Sequence, residues 1–441
     1  MPPNRAERRE AASSEAPVSS RYARSAASSP RNAQRTSGAK RHSETSSPRR
    51  LAVGAVGLFL VSLTLLHWGW YQHALILDTV EYHRYGSAIV DGHVPYRDFN
   101  VEYPPGALPA FAAPAVGKPS FSLYNREFQL LMALCGVGAL AAMTVALRSL
   151  RASADGTAAG LAFFALSPLV LGSVILYRYD LWPAALTVAG IAAVLARRER
   201  LGFGALGLGI AAKAFPALVL PPALVYVWRT RGRREALVCL GAAAAVAALV
   251  VVPFLALAPH GVWESIVRQT TRPLQIESLG SAVLLAAHHV GGLALTMESS
   301  RGSQNLAGSL PDAVGTVSSA LLVLVVLAIW TAAARGPASP ERLVRYASAS
   351  LVAFVVFGKV LSPQFLIWLL PLVPLVRGRR GVAAAGLLGL ALLLTQVWFP
   401  IRYWDLVHFE AFPSWVLLAR DLVLLALLAV LTAPARESHH S

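Results

Sequence analysis

Two cysteines, Cys135 and Cys239, are all that 441 residues contain, and both fall inside apolar runs. That excludes a disulfide framework or a thiol motif, and the pair read as small buried hydrophobes. Charge is scarce too: 14% of residues are Asp, Glu, Lys or Arg, against about 25% in a soluble domain. Acid is scarcer than base, 23 residues against 39, for a formal charge of +16. The excess does not point to nucleic acid. Its basic residues lie in the N-terminal tail and in short loops between apolar runs, where they set membrane orientation. Outside that tail lysine occurs only at Lys118, Lys213 and Lys359. Soluble-enzyme motifs are missing: no P-loop, no GxSxG, no CxxC. One GxGxxG, at Gly202, Gly204 and Gly207, lies in an apolar segment with no strand before it and reads as helix packing.

What is abundant is apolar sequence. Hydrophobic residues make up 55% of the chain, and runs of about 20 recur, each long enough to cross a bilayer. The pattern predicts an all-α polytopic membrane protein, with about 12 transmembrane or re-entrant helices across residues 51–432. Residues 1–50, rich in Ser, Ala, Arg and Pro, predict a disordered basic cytoplasmic tail with no signal-peptide core. Residues 433–441 predict a second cytoplasmic tail. Long outer loops are expected at 72–125 and 258–312. Arginine clusters fall mainly on one side of the crossings, which puts both termini in the cytoplasm and these loops outside it. Two pairs of short segments, within 201–228 and 343–376, are hinged at Lys213 and Pro216 and at Gly358-Lys359 and Pro363. Broken helices are tolerated in a bilayer where they line a cavity. Both a transporter and an enzyme that admits a lipid substrate would use them.

Acid collects in the first outer loop. Between Leu77 and Gly106 lie Asp78, Glu81, Asp91, Asp98 and Glu102, interleaved with His83, His93, Tyr82, Tyr85, Tyr96 and Tyr103. Packing alone seldom needs such a mixture, whereas chemistry on a polar, membrane-adjacent substrate does. Asp78 and Glu81 would share a helix face. Asp-Thr-Val-Glu also has the spacing of a capping box. A metal held by the two carboxylates is a third reading, unsupported by any His-rich or DxD pattern. Lys213 and Lys359 sit at the two helix breaks, either snorkelling to the interface or aimed at an anionic substrate. The histidines, His288 among them, share the outer side.

Several stretches resemble glycosyltransferase family 87, the polyprenyl-phosphate-mannose-dependent mannosyltransferases of the GT-C superfamily. They are an aspartate soon after the first apolar run, Tyr82-x-x-Tyr85-Gly-Ser-Ala-Ile-Val-Asp91-Gly-x-Val-Pro-Tyr96-Arg-Asp98, and Glu102-Tyr-Pro-Pro-Gly106. Tyr179-Asp180, the run from Gly207 through Lys213 to Pro216, and that from Lys359 to Pro371 extend the resemblance over about residues 51–430. It implies a GT-C-like fold in the cell membrane and inverting transfer of a hexose, mannose, from a polyprenyl-phosphate donor to an extracytoplasmic lipid or glycan acceptor. No cofactor, metal or nucleic acid is implied. A lipid phosphate is a good leaving group, so one carboxylate base and a cation suffice. Asp78 is the expected base with Glu81 as runner-up. Lys213, Lys359, Arg178 and Arg402 are the expected phosphate ligands, and Tyr82, Tyr96, Glu102 and His288 the residues for sugar or acceptor. The alternative, a transporter or flippase of lipid-linked sugars, predicts charge near mid-membrane and short outer loops.

Overall fold

A computed structural model describes residues 48–73 and 76–434. The basic tail expected over 1–50 lies outside the described residues except for 48–50, and so does the C-terminal tail from 435 onward. The helices are α1 (Pro48–Leu65), α2 (Thr79–Val90), α3 (Leu108–Ala112), α4 (Phe121–Ser149), α5 (Ala154–Leu171) and α6 (Val174–Tyr177). Next come α7 (Leu181–Leu195), α8 (Glu199–Ala212), α9 (Leu220–Arg231), α10 (Arg233–Leu257), α11 (Pro259–Thr270) and α12 (Leu279–Gly291). The last are α13 (Ser309–Arg335), α14 (Pro340–Phe357), α15 (Gly378–Trp398), α16 (Tyr403–Val407) and α17 (Ala411–Thr432).

Among the described residues, seven of these helices are long and apolar enough to cross a membrane: α1, α4, α5, α10, α13, α15 and α17. Five further expected segments are short, polar or broken. They are α7, α8, α9 with the 3-10 turn before it, α14, and the stretch 364–376, which forms two 3-10 turns instead of a helix. The fold is a polytopic helical bundle of the expected kind. Its starts follow local chemistry. Ser153 caps α5 by accepting from the Gly156 N–H at 3.1 Å, and Ser339 caps α14 by accepting from Arg342 at 3.2 Å, with Pro340 in the first turn.

The GxGxxG packs helices, as its apolar setting suggests. A Cβ at Gly202 would meet the Gly190 carbonyl of α7 at 2.6 Å, and one at Gly207 would strike the Ala243 backbone of α10. Glycine there lets α8 lie closely between its two neighbours.

The second long loop holds structure that hydropathy did not predict. Strands β1 (Leu274–Gln275), β2 (Thr296–Ser300) and β3 (Ser303–Ala307) form an antiparallel sheet in the order β1-β3-β2. Arg301 and Gly302 make the two-residue turn of the β2–β3 hairpin, both at positive φ (52° and 70°), the combination that matches strand twist in such hairpins.

Candidate active site

Two helix breaks form the base of the site. Helix α8 stops at Ala212 because Lys213 turns extended (φ −163°, ψ 143°) and Pro216 follows in a 3-10 turn. Lys213 donates to Asp180 Oδ1 at 2.6 Å, and Trp368 Nε1, from the second break, donates to the same oxygen at 2.5 Å. Phe215 and Trp368 stack with ring centroids 4.3 Å apart. The breaks are therefore clasped to one another through a buried ion pair. Lys213 also lies over the Tyr179 ring, 4.6 Å from its centroid.

The first loop docks on this base. Its Glu102-Tyr-Pro-Pro-Gly turn brings Gly106 against the end of α8, where a Cβ would lie 2.5 Å from Ala211. Trp182 Nε1 donates to the Gly106 carbonyl at 3.1 Å. Helix α2 buries Thr79, Tyr82, Tyr85 and Gly86 against α3 and α4. Tyr82 stacks on Phe111 at 4.4 Å, and its hydroxyl points to Asp78 Oδ2 at 3.4 Å. Asp98 accepts from the Val94 N–H at 2.7 Å and pairs with Arg97, which holds its carboxyl down at about 2. It shapes the loop.

Above the base lies a polar cavity of about 460 Å³, its mouth formed by both long loops. Four expected residues meet on its walls: Asp78, Glu81, Glu102 and Arg178. Asp78 precedes α2 but does not cap it with its side chain. The carboxylate turns instead to Arg178, a buried guanidinium on the extended link between α6 and α7, and forms an ion pair with it. Glu81 pairs separately with Arg84 at 2.7 Å, both side chains more than half exposed. The two carboxylates thus face different arginines.

The remaining expected residues stand off the walls. Tyr82 backs Asp78, and Tyr96, at φ 68°, donates its hydroxyl to the Tyr103 carbonyl at 2.6 Å. Lys213 belongs to the clasp. Lys359 donates to the Thr270 carbonyl at 3.1 Å, Arg402 is exposed over the Phe412 ring, and His288 Nδ1 lies 2.6 Å from the Leu293 carbonyl.

Sequence reasoning missed much of the remaining lining. Arg84, Arg268, Arg272 and Arg301 belong to it together with Gln275, Glu277, Gln364 and Tyr403. Among the described residues the walls carry five arginines and four carboxylates. Burial lowers the basicity of Arg272, and its Nε is enclosed without a hydrogen-bond partner. Burial likewise pushes the Glu277 carboxyl up to about 7 in spite of nearby arginines. A sequence signal for Glu277 existed: it is the only acid between Glu264 and Glu298 in a chain poor in acid.

Helices of membrane-spanning length and a chamber lined by carboxylates and guanidiniums make up the candidate site. The sequence profile of glycosyltransferase family 87 matches residues 101–363. The chain belongs to that family and is a membrane glycosyltransferase. The matched stretch contains Glu102, Arg178, Arg272 and Glu277, and begins after Asp78 and Glu81. No curated protein matches the chain. The crystal structure of ArnT from Cupriavidus metallidurans bound to undecaprenyl phosphate is similar at 15% identity and a TM-score of 0.45, covering 86% of this chain and 76% of that one.

Proposed function

We propose that this glycosyltransferase moves a hexose, mannose, from a polyprenyl-phosphate donor to a lipid or glycan acceptor outside the cytoplasm, with inversion at the anomeric carbon. The observation that carries the reading is Arg178, a buried guanidinium paired with Asp78 in a cavity that also holds Arg272. The polyprenyl phosphate leaves as an anion, so it needs cations more than a general acid. Arg178 and Arg272 take that role, in place of Lys213, Lys359 and Arg402. Asp78 takes the proton of the acceptor hydroxyl as the hydroxyl oxygen bonds to the anomeric carbon and the carbon–phosphate oxygen bond breaks. The ion pair with Arg178 holds the Asp78 carboxylate against that guanidinium. A donor phosphate that draws the guanidinium to itself frees the carboxylate for the acceptor hydroxyl, so donor arrival and release of the base are one event.

The test is a panel of labelled polyprenyl-phosphate sugars incubated with membranes containing the protein, with the product anomer read by NMR. Transfer from the mannosyl lipid with inverted configuration is expected. Retention of configuration, or transfer only from a nucleotide sugar, overturns the reading.

Two substitutions separate the roles. Arg272→Ala removes a charge-assisted contact worth about 1.5–3 kcal/mol. Donor KM should therefore rise by about tenfold or more, with kcat changed much less, as steady-state kinetics on the labelled donor would show. Glu81→Gln removes only an exposed pairing with Arg84. It should change kcat/KM by less than about fivefold; a loss of hundreds-fold would make Glu81 the base.

A further inference from the structure

Glu277 is the most enclosed carboxylate of the cavity wall, at 2% exposure. It is also tightly fixed. Gln275 Nε2 donates to its Oε2. The adjoining N–H groups of Gln275 and Ile276 donate to the Lys359 carbonyl at 2.9 Å and the Gln304 carbonyl at 3.0 Å. Arg420 Nη2, from α17, donates to the Glu277 carbonyl at 2.7 Å. The backbone at Glu277 is therefore held at the chamber wall.

Arg272 after α11, Arg178 on the α6–α7 link and Tyr403 on α16 line the same cavity as Glu277, and Arg420 on α17 reaches its backbone carbonyl. Arg420 also pairs with Asp421 at 2.8 Å and does not line the cavity. Arg178 and Arg272 open on the cavity. They are the two guanidiniums assigned above to the donor phosphate.

We propose that Glu277 is an internal competitor of that phosphate. Ionised, it neutralises Arg178 and Arg272 and repels an incoming anion; protonated, it releases both to the phosphate. It is a positioning residue that acts through the two arginines, and this role rests on the donor reading. Because burial raises its carboxyl to about 7, the switch falls near neutral pH. The sign follows from the raised value: the neutral form prevails below about 7 and is lost as pH rises through it. If only that form admits the anion, donor Kd rises about tenfold between pH 6 and pH 8.

The experiment measures binding of a short-chain polyprenyl-phosphohexose to the purified full chain in nanodiscs between pH 6 and pH 8. This phosphodiester has no proton to lose in that range, so any pH dependence belongs to the protein. Wild type should lose about tenfold in affinity. Glu277→Gln should keep its low-pH affinity throughout, while Glu277→Asp, which retains a carboxyl, should keep a rise in Kd. An undiminished pH dependence in Glu277→Gln overturns the proposal. So does weaker binding in that variant at every pH, which would make Glu277 a direct sugar ligand. A hundredfold fall in kcat at unchanged Kd also overturns it, by making Glu277 the base. If wild type binds the probe at no pH, or Arg272→Ala binds it as well as wild type, the donor reading fails and takes this inference with it.

Discussion

Asp78→Asn should lower transfer of labelled mannose from polyprenyl-phosphate mannose by about 10²–10⁴-fold, the usual contribution of a positioned base. The fold should survive the change. The asparagine oxygen can still accept from Arg178, with its NH2 turned toward the Tyr82 hydroxyl oxygen, and the Asp78 side chain caps no helix. What disappears is the capacity to take a proton. The check is initial rate in membranes at matched amounts of folded protein, with the thermal denaturation midpoint measured alongside because Arg178 loses its charge partner; near-wild-type transfer would remove Asp78 from the chemistry. Asp78→Glu keeps the carboxylate but moves it by a methylene relative to Arg178. It should retain more activity than asparagine and far less than wild type, because reacting groups must lie within about an ångström of the productive geometry.

Lys213→Met should give the largest loss of stability. It leaves Asp180, whose side chain is 1% exposed, without its counter-ion between the two helix breaks. Breaking one side of a buried pair costs about 3–5 kcal/mol. A clear drop in the thermal denaturation midpoint in detergent is expected. Adding Asp180→Asn should recover most of it, since the asparagine oxygen still accepts from Trp368 Nε1 and no charge is left alone. A double variant no more stable than Lys213→Met would mean that the ion pair is not what holds the breaks together. This outcome also separates a clasp from a phosphate ligand, which would alter donor KM at unchanged stability.

How much of this was legible depended on how far apart the partners lie in the chain. Hydropathy runs and proline breaks are local: seven of the expected segments are helices long enough to cross a membrane, four are shorter or less apolar helices, and 364–376 is two 3-10 turns. The acid-rich first loop was legible for the same reason, and four of the ten candidate side chains meet in one cavity. Lysine's rarity marked Lys213 and Lys359 as unusual but could not show their partners. Asp180 lies 33 residues from Lys213, and the Thr270 carbonyl 89 residues from Lys359. Glu277 depends on Arg420, 143 residues away. The sheet escaped because strands of two and five residues with mixed polarity leave almost no period to read.

The balance of five arginines against four carboxylates on the cavity walls bears on turnover. With Glu277 protonated, the walls hold a surplus of two positive charges. A loaded carrier lipid, a phosphodiester, brings one negative charge. Once the sugar has gone, the carrier is a monoester with nearly two. The chamber is then better matched electrically to the spent carrier than to the loaded one. Bond cleavage gains from that mismatch, and the burden shifts to the exit of the spent lipid. On the donor reading, free polyprenyl phosphate is expected to compete strongly with its own sugar-bearing form.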